Sequence, residues 1–182
     1  MKNKIELRLF AKKQRQNLNI NSISKSILVK IKTLDVFISA KNIMLFYPLE
    51  NEINLLPLLK TEDKNFFLPR MTENKSLECC PFSLEDELIE KKFCVKEPLT
   101  KACSKCDVDL IIAPALCVDY KGNRLGYGAG FYDRFFEDIN CTKIVPISDT
   151  LILENIPTDA FDKKIDIIIS EKRIIKINNP QD

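Results

Sequence analysis

The chain of 182 residues has no histidine, only four glycines and no surplus of either charge, with 28 basic and 26 acidic residues for a net charge of +2. Histidine is the side chain most often used to move protons near neutral pH and the commonest nitrogen ligand of zinc. Its absence leaves chemistry to carboxylates, cations, backbone amides and thiols. The balanced charge provides no global field toward nucleic acid or an anionic membrane, so a nucleic-acid-binding module built on the lysine-rich first helices is disfavoured and any basic site must be local. No apolar run approaches the ~20 residues of a membrane span. The opening MKNKIELRLFAKKQRQ interleaves charge with apolar positions where a secretory signal needs an unbroken apolar stretch. A cytoplasmic, monomeric protein is expected.

Disulfide spacing is missing as well. Seven cysteines (Cys79, Cys80, Cys94, Cys103, Cys106, Cys117 and Cys141) form an odd, scattered set, for which reduced thiols are the expectation. Cys103-Ser-Lys-Cys106 is a lone C-x-x-C, and a structural zinc site needs a second pair. Adjacent Cys79 and Cys80 are a poor substitute, because neighbours on a strand point to opposite faces.

What is present is a globular composition, 45% hydrophobic and 30% charged. At this length one domain over residues 1–182 is expected, since domains usually run roughly 100–200 residues. Ile20, Ile23, Ile27, Ile31 and Leu34 recur every three or four residues and predict a helix over 21–37, with Ile5, Leu9 and Lys12 marking another before it. Short continuous apolar runs at 42–47, 65–69, 109–114, 143–147 and 165–169 read as strands covered on both faces, separated by polar or helix-like segments around 52–60 and 131–139. The pattern is an α/β single domain of three layers, with a largely parallel central sheet flanked by helices. Periodicity is lost between Leu84 and Cys106, which reads as loop and short pieces, and the tail from Asn178 reads as frayed.

All four glycines, Gly122, Gly126, Gly128 and Gly130, fall in the string KGNRLGYGAGFYDRFF. A chain that spends its glycines in one place needs positive φ or close backbone approach there. A strand before the segment and a helix after it would aim backbone N–H groups at phosphate, while the alternative is a glycine-rich hairpin with no ligand. Neither standard nucleotide fingerprint fits: Gly126-Tyr-Gly-Ala-Gly130 runs into Phe131 rather than completing G-x-G-x-x-G, and no Gly-Lys-Ser/Thr is present.

The string GNRLGYGAGFYDRFF resembles the signature of the 5-formyltetrahydrofolate cyclo-ligase (5,10-methenyltetrahydrofolate synthetase) family. The likeness continues in the basic N-terminal helix, in FYPLENEINLLPLL, in Leu68-Pro69-Arg70 and in IPTDAFDKKIDIIISE. The resemblance implies the NagB/RpiA/CoA transferase-like fold, ATP and Mg2+ as cofactors, and conversion of 5-formyltetrahydrofolate, with or without a polyglutamate tail, to 5,10-methenyltetrahydrofolate with release of ADP and phosphate. By the family's pattern Lys4, Arg8 and the run Arg124, Leu125, Gly126, Tyr127, Gly128, Ala129, Gly130, Phe131 and Tyr132 contact ATP. Tyr47, Glu52 and residues 127–131 face the folate, Asp133 and Asp162 hold magnesium, and Arg124, Tyr132 and Asp133 serve the reaction. Each residue also has a plainer reading. Lys4 and Arg8 share a helix face that could simply be solvated, Arg124 could be a hairpin arginine in solvent, and Glu52 could favour a helix dipole. Asp133 and Asp162 could be cap or turn residues. Arg70 is read either as a charge for phosphate or for the folate's glutamate, or as an exposed residue after a strand. Departures from the pattern are Ala129, where many members have lysine, and Ser148 and Leu151 before the Ile-Pro turn, which are expected to alter the folate's surroundings. A non-catalytic folate-binding protein on the same fold is the alternative function.

Overall fold

In a computed structural model, which describes residues 3–91, 95–104, 107–137 and 139–177, the apolar runs read from the sequence become the core of one seven-stranded sheet. Cys94, Cys106 and the tail from Asn178 lie outside the described residues. Numbered along the chain, β1 (Asn42–Met44), β2 (Asn65–Met71), β6 (Leu110–Ile112), β9 (Thr142–Pro146) and β11 (Ile167–Ile169) pair in parallel in the order β11-β9-β6-β1-β2. Two antiparallel strands, which the sequence reading missed, close the edges: β3 (Leu77–Pro81) on β2 and β12 (Ile174–Lys176) on β11. Alternation along the parallel strands sorts their residues into two cores. Ile43, Phe66, Leu110, Ile112, Ile144 and Ile167 pack on one face, and Met44, Phe67, Ile111, Val145 and Ile168 on the other. Burial on both faces is why these strands read as unbroken apolar runs.

The first of these faces is covered by α2 (Ile20–Lys32) and α3 (Asp35–Ser39). The helix expected over 21–37 therefore breaks: the Thr33 hydroxyl donates to the Lys30 carbonyl at 2.8 Å, and Leu34 turns extended at ψ 131° to restart the chain as α3. The other face is covered by α1 (Lys4–Arg15), α4 (Phe131–Phe136) and a small sheet. A capping box of Asn3 and Glu6 fixes the start of α1. Its buried side is Leu7 and Ala11, while Ile5 and Leu9, the positions that suggested the helix, are exposed.

The stretch read as irregular contains β4 (Leu88–Glu90) and β5 (Lys96–Pro98), an antiparallel ribbon clamped to β2 by Arg70. The Arg70 Nε and Nη2 both donate to Glu78 Oε2, at 3.0 and 2.8 Å, and Nη1 donates to the carbonyls of Pro98 and Thr100. Arg70 is thus tied to protein partners that brace the ribbon, unlike the simply exposed residue that the sequence also allowed. Ser148 and Leu151 are likewise buried, Leu151 in the hydrophobic core. They do not line the cleft described below.

The small sheet joins β7 (Cys117–Asp119) antiparallel to β8 (Arg124–Leu125) and parallel to β10 (Ile152–Leu153). Its turn is organised by fully buried Asp119. Oδ1 accepts from the backbone N–H groups of Lys121 and Asn123, and Oδ2 from the Asn123 amide and the N–H of Ile156, all within 2.8 to 3.0 Å. At the turn Gly122 has φ 80°, and a Cβ there would lie 2.8 Å from the Ile165 carbonyl oxygen, so only glycine fits. No described helix is long and apolar enough to cross a membrane.

Replacing Asp119 leaves several buried donors unmet at once. Asp119→Ala should lower the unfolding free energy by about 3 kcal/mol in urea denaturation, and a loss under about 1 kcal/mol would show that the carboxylate does not organise the turn.

Candidate functional site

The β7–β8 hairpin delivers the chain from Asp119 into the glycine segment, which runs along a cleft of about 630 Å³ before entering α4. Lys4, Arg8, Tyr47, Glu52, the whole run 124–133 and Asp162 line this cleft, so residues up to 158 positions apart in sequence come together there. Sequence reasoning missed other lining residues, among them Lys12, Met71, Leu77, Glu97 and Asp159. Lys12 had a signal, since Lys4, Arg8, Lys12 and Arg15 follow one another at intervals of four, four and three and so share a helix face.

That face meets the glycine segment along its length. Lys4 Nζ is 2.7 Å from Asp159 Oδ2 and 2.5 Å from Asp162 Oδ2. Burial works to lower the Lys4 pKa, but its hydrogen bonds to the two aspartates prevail and raise it. Arg8 Nε donates to the Gly126 carbonyl at 3.0 Å, and Lys12 Nζ lies 5.7 Å from the centre of the Tyr127 ring. Arg15 donates to the Ala115 carbonyl, to the Tyr127 hydroxyl at 3.1 Å and to Glu52 Oε1 at 3.4 Å. Gly128 has φ 107°, and a Cβ there would sit 3.1 Å from the Arg8 guanidinium carbon. A side chain at that position would be strained and would push Arg8 aside.

Glu52 is buried and bridges the turn after β1 to the glycine segment. Its Oε1 accepts the Tyr127 hydroxyl at 2.6 Å and its Oε2 the Leu49 N–H at 2.9 Å. Arg124 is buried too, which excludes the hairpin arginine in solvent. Nη2 donates to Asp133 Oδ1 at 2.9 Å, and the guanidinium carbon lies 5.6 Å from the Tyr132 and Phe136 ring centres. Two sealed polar atoms at this corner, Arg124 Nε and the Tyr132 hydroxyl, have no hydrogen-bond partner among the described residues. α4 has only six residues, and Gly130, the residue that caps its start, lies in the left-handed region at φ 68°.

Asp133 and Asp162 each use a single oxygen for the bonds above: Asp133 Oδ1 takes Arg124 and the Lys163 N–H, and Asp162 Oδ2 takes Lys4 and the Asp159 N–H. Their other oxygens meet no donor among the described residues. Two hard carboxylate oxygens suit magnesium once phosphate and water complete its shell. Among the described residues no group of three or more His, Cys, Asp or Glu gathers as a metal site. Cys117 and Cys141 are poor nucleophiles, since burial pushes the first thiol up to about 12 and the second to about 11.

The Tyr127 residue is 44% exposed, but burial around its hydroxyl, seconded by the Glu52 charge, pushes this phenol well above its ordinary value, and burial, seconded by the Glu52 and Cys79 charges, does so for Tyr132 against the pull of Arg124. A raised phenol pKa adds stability that is present below the unfolded value near 10 and is lost as pH rises toward the folded one. In alkaline titrations Tyr127→Phe and Tyr132→Phe should leave the early phenolate absorbance unchanged and shrink the step that accompanies unfolding. Loss of early absorbance would show that these phenols are open to solvent.

The 5-formyltetrahydrofolate cyclo-ligase family matches residues 1–171. The 5-formyltetrahydrofolate cyclo-ligase of Haemophilus influenzae is 28% identical over 142 residues, which are 71% of this chain and 76% of that one. The probable 5-formyltetrahydrofolate cyclo-ligase of Schizosaccharomyces pombe is 27% identical over 179 residues, 86% of this chain and 88% of that one. The solved structure of Aquifex aeolicus 5,10-methenyltetrahydrofolate synthetase aligns with a TM-score of 0.85 at 27% identity, covering 98% of this chain and 95% of that one. A likeness that spans the sheet, the hairpin and the glycine segment together leads to one conclusion: the chain belongs to the 5-formyltetrahydrofolate cyclo-ligase family.

Proposed function

We propose that the protein is a cytoplasmic enzyme of one domain that cyclises 5-formyltetrahydrofolate to 5,10-methenyltetrahydrofolate, consuming ATP in the presence of magnesium. The observation that carries this reading is the meeting of a four-cation helix face with a glycine segment in a cleft whose remaining wall is largely apolar. Lys4, Arg8 and Lys12 offer charge to a triphosphate, over roughly 12 Å of helix at 1.5 Å per residue. Lys12 supplies a cation that Ala129 does not. Phe46, Leu49, Pro69, Met71 and Tyr47 offer a flat ring the apolar contact it needs.

The reaction asks for alignment and charge stabilisation, which a chain without histidine can provide. The formyl oxygen bonds to the γ-phosphorus as the bond to ADP breaks. The neighbouring amine nitrogen then closes the five-membered ring on the formyl carbon, loses its proton, and phosphate leaves with the former formyl oxygen. Arg124, held by Asp133 and set against the Tyr132 and Phe136 rings, keeps a fixed cation at the corner where the Tyr132 hydroxyl has no partner among the described residues. Asp133 and Asp162 would hold magnesium, which supplies neutralisation of developing phosphate charge when bound.

Purified protein mixed with 5-formyltetrahydrofolate, ATP and magnesium should generate the near-ultraviolet absorbance of the methenyl product. Folate binding without any ATP-dependent product would instead support a non-catalytic folate-binding protein. Asp133→Asn and Asp162→Asn should each lower turnover by roughly 10- to 100-fold, with partial recovery at high magnesium. A magnesium dependence identical to wild type would remove both from the metal site. Gly128→Val should stay folded and weaken ATP binding by about tenfold or more, through strain and displacement of Arg8. Unchanged ATP affinity in the folded variant would show that the segment is only a hairpin.

A further inference from the structure

Glu97 is a buried carboxylate, 2% exposed, on the β4–β5 ribbon, and it lines the same cleft. Its Oε1 accepts the backbone N–H of Met71 at 2.9 Å. Its Oε2 receives no hydrogen bond from any described residue, and the side chain lines the cleft. Arg70 is close enough to feel the Glu97 charge, but its own donors go to Glu78 and to the carbonyls of Pro98 and Thr100. A carboxylate taken this far out of water is costly unless its oxygens are met. Glu52, by contrast, has both oxygens engaged, by Tyr127, Arg15 and Leu49.

Any group that meets the open oxygen must donate hydrogen bonds and must not be anionic, which rules out phosphate and the folate's glutamate. Around Glu97 the cleft wall is Pro69, Met71, Leu77 and Val95, a surface suited to a flat heterocycle. The amino-pyrimidinone edge of a pterin carries an exocyclic amine beside a ring N–H, a pair of donors that one carboxylate can accept. Resting on the cyclo-ligase reading, we propose that Glu97 is a substrate-binding residue whose free oxygen accepts N–H donors of the folate's amino-pyrimidinone ring. It thereby sets which end of the folate enters this wall. Glu52 then acts as the strut between the turn after β1 and the glycine segment.

The test is equilibrium binding without turnover, by calorimetry, on wild type and Glu97→Gln. The ligands are 5-formyltetrahydrofolate, its analogue with the ring amine replaced by methyl, and a non-hydrolysable ATP analogue. The glutamine keeps an oxygen for Met71 and presents no charge to the ring. Wild type should bind the methyl analogue roughly 10- to 100-fold more weakly than 5-formyltetrahydrofolate. Glu97→Gln should lose a similar factor for 5-formyltetrahydrofolate, discriminate little between the two folates, and keep its affinity for the ATP analogue. Two results overturn the proposal: a wild type indifferent to the ring amine, which needs no variant to fold, or a folded variant that retains wild-type discrimination. A wild type that binds no folate at all would sink the cyclo-ligase reading itself, and the proposal with it. A wild type that binds folate and shows neither effect would sink only the role of Glu97.

Discussion

Four hydrogen bonds to one buried carboxylate hold the functional half of the protein in place. Asp119 gathers the N–H groups of Lys121, Asn123 and Ile156 and the Asn123 side chain, and so fixes both the β7–β8 turn and the segment after β10. From that fixed turn the chain has only Arg124 and Leu125 before the first cleft glycine. The glycines therefore need not be rigid themselves. Their conformational freedom is spent between two anchors, the hairpin on one side and α4 on the other, and what remains is backbone lying open along the cleft.

The cations and carboxylates of the cleft neutralise one another in pairs, Lys4 with Asp159 and Asp162, and Arg124 with Asp133. Such pairs are half-exposed and weakly stabilising at Lys4, more confined at Arg124. A phosphate that claims Lys4 frees carboxylate oxygen for a cation, so anion and metal would enter as a matched set.

Much of this was legible in the sequence because burial writes itself into composition. The five parallel strands are apolar on both faces and stood out as continuous runs, and four glycines in nine residues marked the segment that needed positive φ. What stayed hidden has physical reasons. β4, β5, β7, β8 and β10 are two or three residues long, below the length at which alternation can be recognised. Arg70 and Glu97 owe their surroundings to chain partners that no local pattern specifies. Lys12 and Arg15 were readable from their spacing after Lys4 and Arg8, but the helix was assigned through Ile5 and Leu9, which turned out to face outward.

The placement of α1 also has a consequence for how the protein is made. Its hydrogen bonds reach 118 residues ahead to Gly126 and 158 ahead to Asp162, so the helix is synthesised well before these two partners. Until then Lys4 and Arg8 lack these partners, and closing so long a loop is slow. The sheet can begin from β1 and β2, which are close in sequence, but the cleft is a property of the finished chain. A fragment ending before Asp133 would carry Lys4, Arg8 and most of the glycine segment but lack three aspartates of the cleft, Asp133, Asp159 and Asp162.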